Sequence, residues 1–138
     1  MPDTLEPADR LEIAELFAHL AQVLDEGQPE DIHRVYAEDI VVRSPRSGEL
    51  RGIDAVIEFL GQSRTDGAER TQHVHGGVLV TVDGDRVKAE ANQLVHYYRQ
   101  DQPPHRRSGL RLVYSLTRTP QGWRFREGRL TLVWTQAA

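Results

Sequence analysis

Two residues of this chain have the chemistry of an acid/base pair: Asp25, in the segment VLDEG, and His73, in the segment TQHVHGG. A carboxylate beside an imidazole in a site that excludes water can hold the ring in one tautomer, which suits proton transfer at neutral pH. Asp25 stands where a long amphipathic stretch runs out, so its charge meets the negative pole of a helix. A partner such as an imidazole would offset that cost. The plainer reading makes Asp25-Glu26-Gly27 a polar helix exit and His73 a histidine hydrogen-bonded within a sheet. Tyr97 is a third candidate, a phenol on a strand downstream that could donate a hydrogen bond to developing enolate charge.

Helices and strands in a definite order must deliver these groups. Pro7 is a good first helical residue, with Glu6 and Asp9 placed well for the positive end of the dipole. Ile13, Leu16, Phe17, Leu20 and Leu24 recur at three- and four-residue spacing and form one apolar stripe. Gly27 stops that helix, and Pro29 starts a short second one containing Ile32, Val35 and Tyr36. Ile40-Val41-Val42 reads as a strand, Glu49-Leu50-Arg51 as a brief return strand, and Ile53, Val56, Ile57 and Leu60 as one face of a third helix. Strands are expected over about 71–82, 86–100, 109–119 and 122–135, joined by turns at Asp83-Gly84, Gln102-Pro103-Pro104 and Pro120-Gln121-Gly122. Helices first and a four-strand meander last predict an α+β fold with helices on one face of a curved antiparallel sheet.

Bulk properties exclude several function classes. The 138 residues suit one domain (1–138, with a core over about 8–135), large enough to bury a core unaided. There is no cysteine, hence no disulfide, thiolate nucleophile or cysteine-based zinc site. The acidic start MPDTLEPADR does not read as a signal peptide, and no apolar run reaches the roughly 20 residues of a membrane span. The expectation is a soluble, cytoplasmic chain with no membrane partner. Net charge is −4 but uneven: residues 1–84 hold 7 Arg against 17 Asp and Glu, residues 85–138 hold 10 Arg and Lys against 4. That split suggests an acidic helical layer against a basic sheet, or polar contacts between subunits. The arginines are scattered along strands and no nucleic-acid motif appears, so no nucleic-acid partner is expected.

The order helix, VLDEG, short helix, AEDIVVRSP, GELRGIDAVIEFL, TQHV, VDGDRVKAEA and QGWRFREGRLTLVW resembles the SnoaL-like branch of the nuclear-transport-factor-2-like superfamily over about residues 8–135. The resemblance implies a cone-shaped α+β barrel in which a bent antiparallel sheet wraps the long N-terminal helix around a deep apolar pocket. It also implies a homodimer through the outer sheet face. Relatives include polyketide cyclases, scytalone dehydratase, ketosteroid isomerase, epoxide hydrolases and binding modules, so the fold alone does not choose a function. In scytalone dehydratase an aspartate at the place of Asp25 works with a strand histidine at the place of His73. Two departures stand out: Leu24 replaces a tyrosine, and the second histidine of that enzyme has only His96 near its place. The implied function is a cofactor-independent dehydratase, cyclase or isomerase acting on a small hydrophobic ring or carbonyl compound. The alternative is a non-catalytic module that binds a small ligand or dimerises.

Strand phase decides whether the pair can meet. A two-residue Asp83-Gly84 turn sets Val82 opposite Asp85 and His73 opposite Leu94. Val78, Val80, Val87, Ala89 and Ala91 then share the core face and His73 lies on the other. A bulge at Gly76-Gly77 would reverse the phase and bring His73 and His75 inward. Gln93 and Tyr97 continue the core face. Phe17, Tyr36, Gln93 and Tyr114 are the expected substrate-binding residues. His73 and His75 are spaced like the strand metal pair of a cupin, but GGVLVTVDGD supplies no equivalent of the glutamate that follows such a pair at short spacing, so no metal is expected. No glycine-rich phosphate loop or nucleophile elbow is present, and nothing points to NAD or flavin.

Overall fold

The computed structural model describes residues 5–63 and 67–137, and its first element is helix α1 (Pro7–Asp25). Pro7 occupies the first turn, and the Glu6 N–H donates to Asp9 Oδ2 at 3.1 Å, satisfying one of the amides a helix start leaves bare. Ile13, Leu16, Phe17, Leu20 and Val23 are buried along one face. Val23 takes the inward place expected of Leu24, which packs only at the core margin. The helix ends where the Glu26 and Gly27 amides both donate to the Gln22 carbonyl at 2.9 Å. A side chain at Gly27 would bring its Cβ to 3.0 Å from Val23 Cα, so this tight exit depends on glycine.

A 3-10 helix (Pro29–Arg34) buries Ile32 and leads into strand β1 (Tyr36–Ser44). Tyr36 therefore opens a strand instead of closing the short helix. The hairpin partner β2 (Gly48–Arg51) and helix α2 (Ile53–Ser63) follow, then β3 (Arg70–Asp83), β4 (Arg86–Tyr98), β5 (Arg106–Thr119) and β6 (Gly122–Ala137). The α+β architecture is the expected one, and β3 to β6 form the antiparallel meander. The sheet as a whole is mixed, because β1 runs parallel to β6. Its six strands have the order β2-β1-β6-β5-β4-β3 and leave β3 at an open edge.

Helix α1 covers that edge and bonds to it at both ends. The Arg10 guanidinium donates to the Val80 carbonyl at 3.0 Å, and Asp25 Oδ2 accepts from the His73 N–H at 2.8 Å. An edge strand left bare is a template for further pairing, and the helix removes that hazard here. The acidic start of α1 is tied to the basic sheet as the charge split suggests. Glu12 accepts from the Trp123 N–H at 2.7 Å, and Asp9 from Trp123 Nε1–H at 3.1 Å and Arg118 at 2.7 Å. The Trp123 indole, with Arg118 second, holds the Asp9 carboxyl below its ordinary value. Behind the helix, Tyr114 stacks on Phe125 with ring centroids 3.9 Å apart and Phe17 tilts against Phe125 at 4.9 Å. Gly128 makes room for this stack, since any Cβ there would overlap the Tyr114 ring.

The β3–β4 register carries the functional consequence. Asp83 pairs with Arg86 and Val82 with Val87, so the loop is Gly84-Asp85, one position beyond the expected turn, and Val82 pairs two residues beyond Asp85. Gly84 opens it with φ 63°. The pairing then slips by one residue between Leu79 and Gly76, with Gly77 at φ 64°. This is a glycine bulge, and it inverts the strand's alternation. Val78, Val80 and Val82 turn inward on one side of it; Thr71, His73 and His75 turn inward on the other. Replacing Gly77 with Ala forces an L-residue into the left-handed region and sets its Cβ 3.1 Å from Asn92 Nδ2. Urea unfolding of Gly77→Ala should show a loss of roughly 1–2 kcal/mol; wild-type stability would mean the bulge does not need glycine.

Candidate active site

Asp25 is the last residue of α1, and His73 lies on the edge strand the helix covers. His73 Nδ1 is 2.6 Å from Asp25 Oδ1, and the two side chains are only 12% and 14% exposed. The same Oδ1 accepts from Thr71 Oγ1 at 3.0 Å, and Oδ2 accepts from the His73 backbone N–H at 2.8 Å. An ionised carboxylate can only accept, so the close contact puts a proton on Nδ1, and in the neutral ring Nε2 then carries the lone pair. That is the protonation state of a general base.

An open groove of about 480 Å³ borders the pair, with Gln22, Glu26, Arg70, Gln72 and Tyr98 around Asp25, Thr71 and His73. Its walls are mainly polar, which differs from the deep apolar pocket expected. A smaller depression of about 210 Å³ on the same helix end is bordered by His19, Glu26, Asp31 and Arg34 and holds none of the expected site residues.

The remaining candidates lie inward of the groove. Tyr97 stands directly across the ladder from Thr71, buried, with the Arg106 guanidinium 3.8 Å above its ring centroid. Gln93 stands across from His75, and its Oε1 is 2.7 Å from His75 Nε2. Burial pushes the His75 imidazole below its ordinary value, outweighing the opposing Gln93 hydrogen bond, so the ring is neutral at neutral pH. His75 Nδ1 is buried without a partner in hydrogen-bonding geometry among the described residues. His73 and His75 do share a face, but each is engaged by its own neighbour, Asp25 and Gln93. Among the described residues no three His, Asp or Glu side chains converge as a metal site would require.

Phe17, Tyr36 and Tyr114 are closed within the core and border neither depression. In this arrangement they form the floor behind the site, and Gln93 serves as the partner of His75; none of the four borders either depression. The Tyr36 and Tyr114 hydroxyls meet at 2.7 Å inside that floor. Thr71, Arg70, Gln72 and Tyr98 border the groove and were absent from the sequence-derived candidates. For Thr71 the signal was present: it lies two residues before His73 and therefore shares its face in any regular strand.

Residues 6–129 match the SnoaL-like domain. No curated protein matches the chain. Among solved structures, the Kfla4162 protein of Kribbella flavida superposes with a TM-score of 0.80 at 24% identity, covering 94% of this chain and 93% of its own. A hexachlorocyclohexane dehydrochlorinase, LinA type 2, gives 0.81 at 14% identity over 95% and 89%. ActVI-ORFA of Streptomyces coelicolor gives 0.78 at 18% identity over 90% and 96%. These likenesses establish a shared fold.

The buried tyrosine pair generates a pH prediction. Burial raises both phenols, Tyr36 to about 12 and Tyr114 well above its ordinary value, although the Tyr114 hydrogen bond partly opposes the rise at Tyr36. A raised acid favours the folded state while it stays protonated, so this contribution is intact below the unfolded phenol value of about 10. It is lost as pH climbs through about 12. Thermal melts should therefore weaken steeply across that alkaline window, and Tyr114→Phe should cost about 1–3 kcal/mol at neutral pH by stranding the Tyr36 hydroxyl. A Phe variant as stable as the parent would contradict the buried pair.

Proposed function

The chain belongs to the SnoaL-like domain family, and on that premise we propose that it is an acid/base enzyme of the dehydratase, cyclase or isomerase type. Its substrate is a small ring or carbonyl compound with an acidic C–H. The observation that carries this reading is the 2.6 Å contact between His73 Nδ1 and Asp25 Oδ1, with Asp25 held by two further donors. In the proposed reaction the Nε2 lone pair of His73 takes the proton from carbon, and the C–H electrons move toward the carbonyl as an enolate. Asp25 keeps the ring in its Nδ1–H form and balances the imidazolium that results. Tyr97, across the ladder from Thr71, is the candidate donor to the enolate oxygen.

From that enolate three outcomes balance. The proton can return at another carbon, a leaving group can depart with its electron pair, or the carbon can attack a second carbonyl. The dehydrochlorinase among the structural neighbours bears a name for the second outcome, and this supports elimination as the first chemistry to assay. The reading calls on no cofactor. The polar groove walls favour substrates with oxygen substituents at the end nearest Arg70 and Gln72.

The test is a screen of hydroxylated and halogenated ring ketones for loss of water or halide, repeated with two variants. His73→Ala should lower turnover by about a hundredfold or more, and Asp25→Asn should lower kcat with a smaller effect on KM. A His73→Ala protein that keeps wild-type turnover would refute the general-base role. Ligand binding without turnover anywhere in the screen would favour a binding module.

A further inference from the structure

The geometry points to Thr71 as the positioning residue of this site: its hydroxyl selects the Asp25 oxygen that meets the imidazole and thereby sets the His73 tautomer. The inference rests on the reading of His73 as a base. Asp25 Oδ1 is the shared acceptor of His73 Nδ1 at 2.6 Å and Thr71 Oγ1 at 3.0 Å. Among the described residues Oδ2 is held by the His73 backbone N–H alone, at 2.8 Å.

Three considerations make the hydroxyl decisive. The torsion that rotates a carboxylate about its last bond is soft, so the backbone donor alone acts as a pivot. Asp25 is also the final residue of α1, with Glu26 already outside helical geometry, and helix ends are the least restrained part of a helix. Thr71, in contrast, sits in a paired strand and is β-branched, hence stiff about its first side-chain torsion. Its hydroxyl oxygen is thus positioned by the strand, independently of Asp25. The hydroxyl donates its proton to Oδ1. Two donors then converge on one oxygen from the same strand face, and the carboxylate plane is determined.

The test reads the imidazole directly and needs no substrate. Nitrogen-15 correlation spectra of the full chain at neutral pH report which ring nitrogen of His73 bears the proton and how fast that proton exchanges with water. Wild type should show the Nδ1–H form with a slowly exchanging proton. Thr71→Val keeps the shape and removes the donor; it should speed that exchange by about tenfold or more, the ratio expected for one lost hydrogen bond to a charged group, and populate the second tautomer. Thr71→Ser should return the wild-type spectrum. If the valine variant does not fold, Thr71→Ala makes the same comparison.

A valine or alanine variant with the wild-type tautomer and exchange rate would overturn the role of Thr71 while leaving His73 as the base. A serine variant as impaired as valine would assign the effect to methyl packing and overturn it too. Wild-type His73 protonated at Nε2 would overturn the base reading itself.

Discussion

Asp25 is a carboxylate largely withdrawn from water at the C-terminal end of a helix, and the structure around it answers the cost of that position. An unpaired charge so placed costs several kcal/mol, and the helix dipole adds to the penalty. Three donors offset it: the His73 imidazole, the His73 amide and the Thr71 hydroxyl. Each hydrogen bond to a charged group contributes about 1.5–3 kcal/mol, so three together are of the size of that cost. All three come from one three-residue stretch of β3. The helix end and the strand start are therefore locked together by the same contact that orders the imidazole.

That lock exists only because β3 is an edge strand with an inverted phase. The His73 amide is free for Asp25 because no further strand pairs on that side. The His73 ring faces the helix because Gly77 adds one residue to the ladder. Without the bulge, the valines that anchor the far half of β3 in the core would turn both histidines outward. Behind them, the stacked Tyr114 and Phe125 rings, with Phe17 tilted against them, seat the helix, and Gly128 supplies the space that Tyr114 needs. Fold and site thus share residues, which is why changes at glycines remote from the groove are expected to reach the chemistry.

Most elements were legible because they are local. The α1 stripe, the Gly27 stop and the four long strands follow from spacing and turn chemistry that a single segment carries. The parallel pairing of β1 with β6 was not legible, since it joins residues from opposite ends of the chain and leaves no short-range pattern. The Gly84-Asp85 loop shows a related limit: Asp83-Gly84 and Gly84-Asp85 differ by one position, and only the paired ladder distinguishes them. In the site, the Asp25–His73 meeting was readable once the adjacent glycines were taken as a bulge. Inward parity could not tell that Phe17, Tyr36 and Tyr114 border neither depression, because it says which face a residue takes but not whether that face opens to solvent. Thr71 was within reach by the same parity argument that placed His73.

The most direct test of this account is a double-mutant cycle between Asp25→Asn and His73→Asn, measured as unfolding free energies in urea. The account predicts a coupling of about 1.5 kcal/mol or more, since each single change strands a charged or buried partner. Additivity within about 0.5 kcal/mol would show that the two side chains do not interact in solution, and would contradict the central claim that their contact unites the helix end, the edge strand and the site.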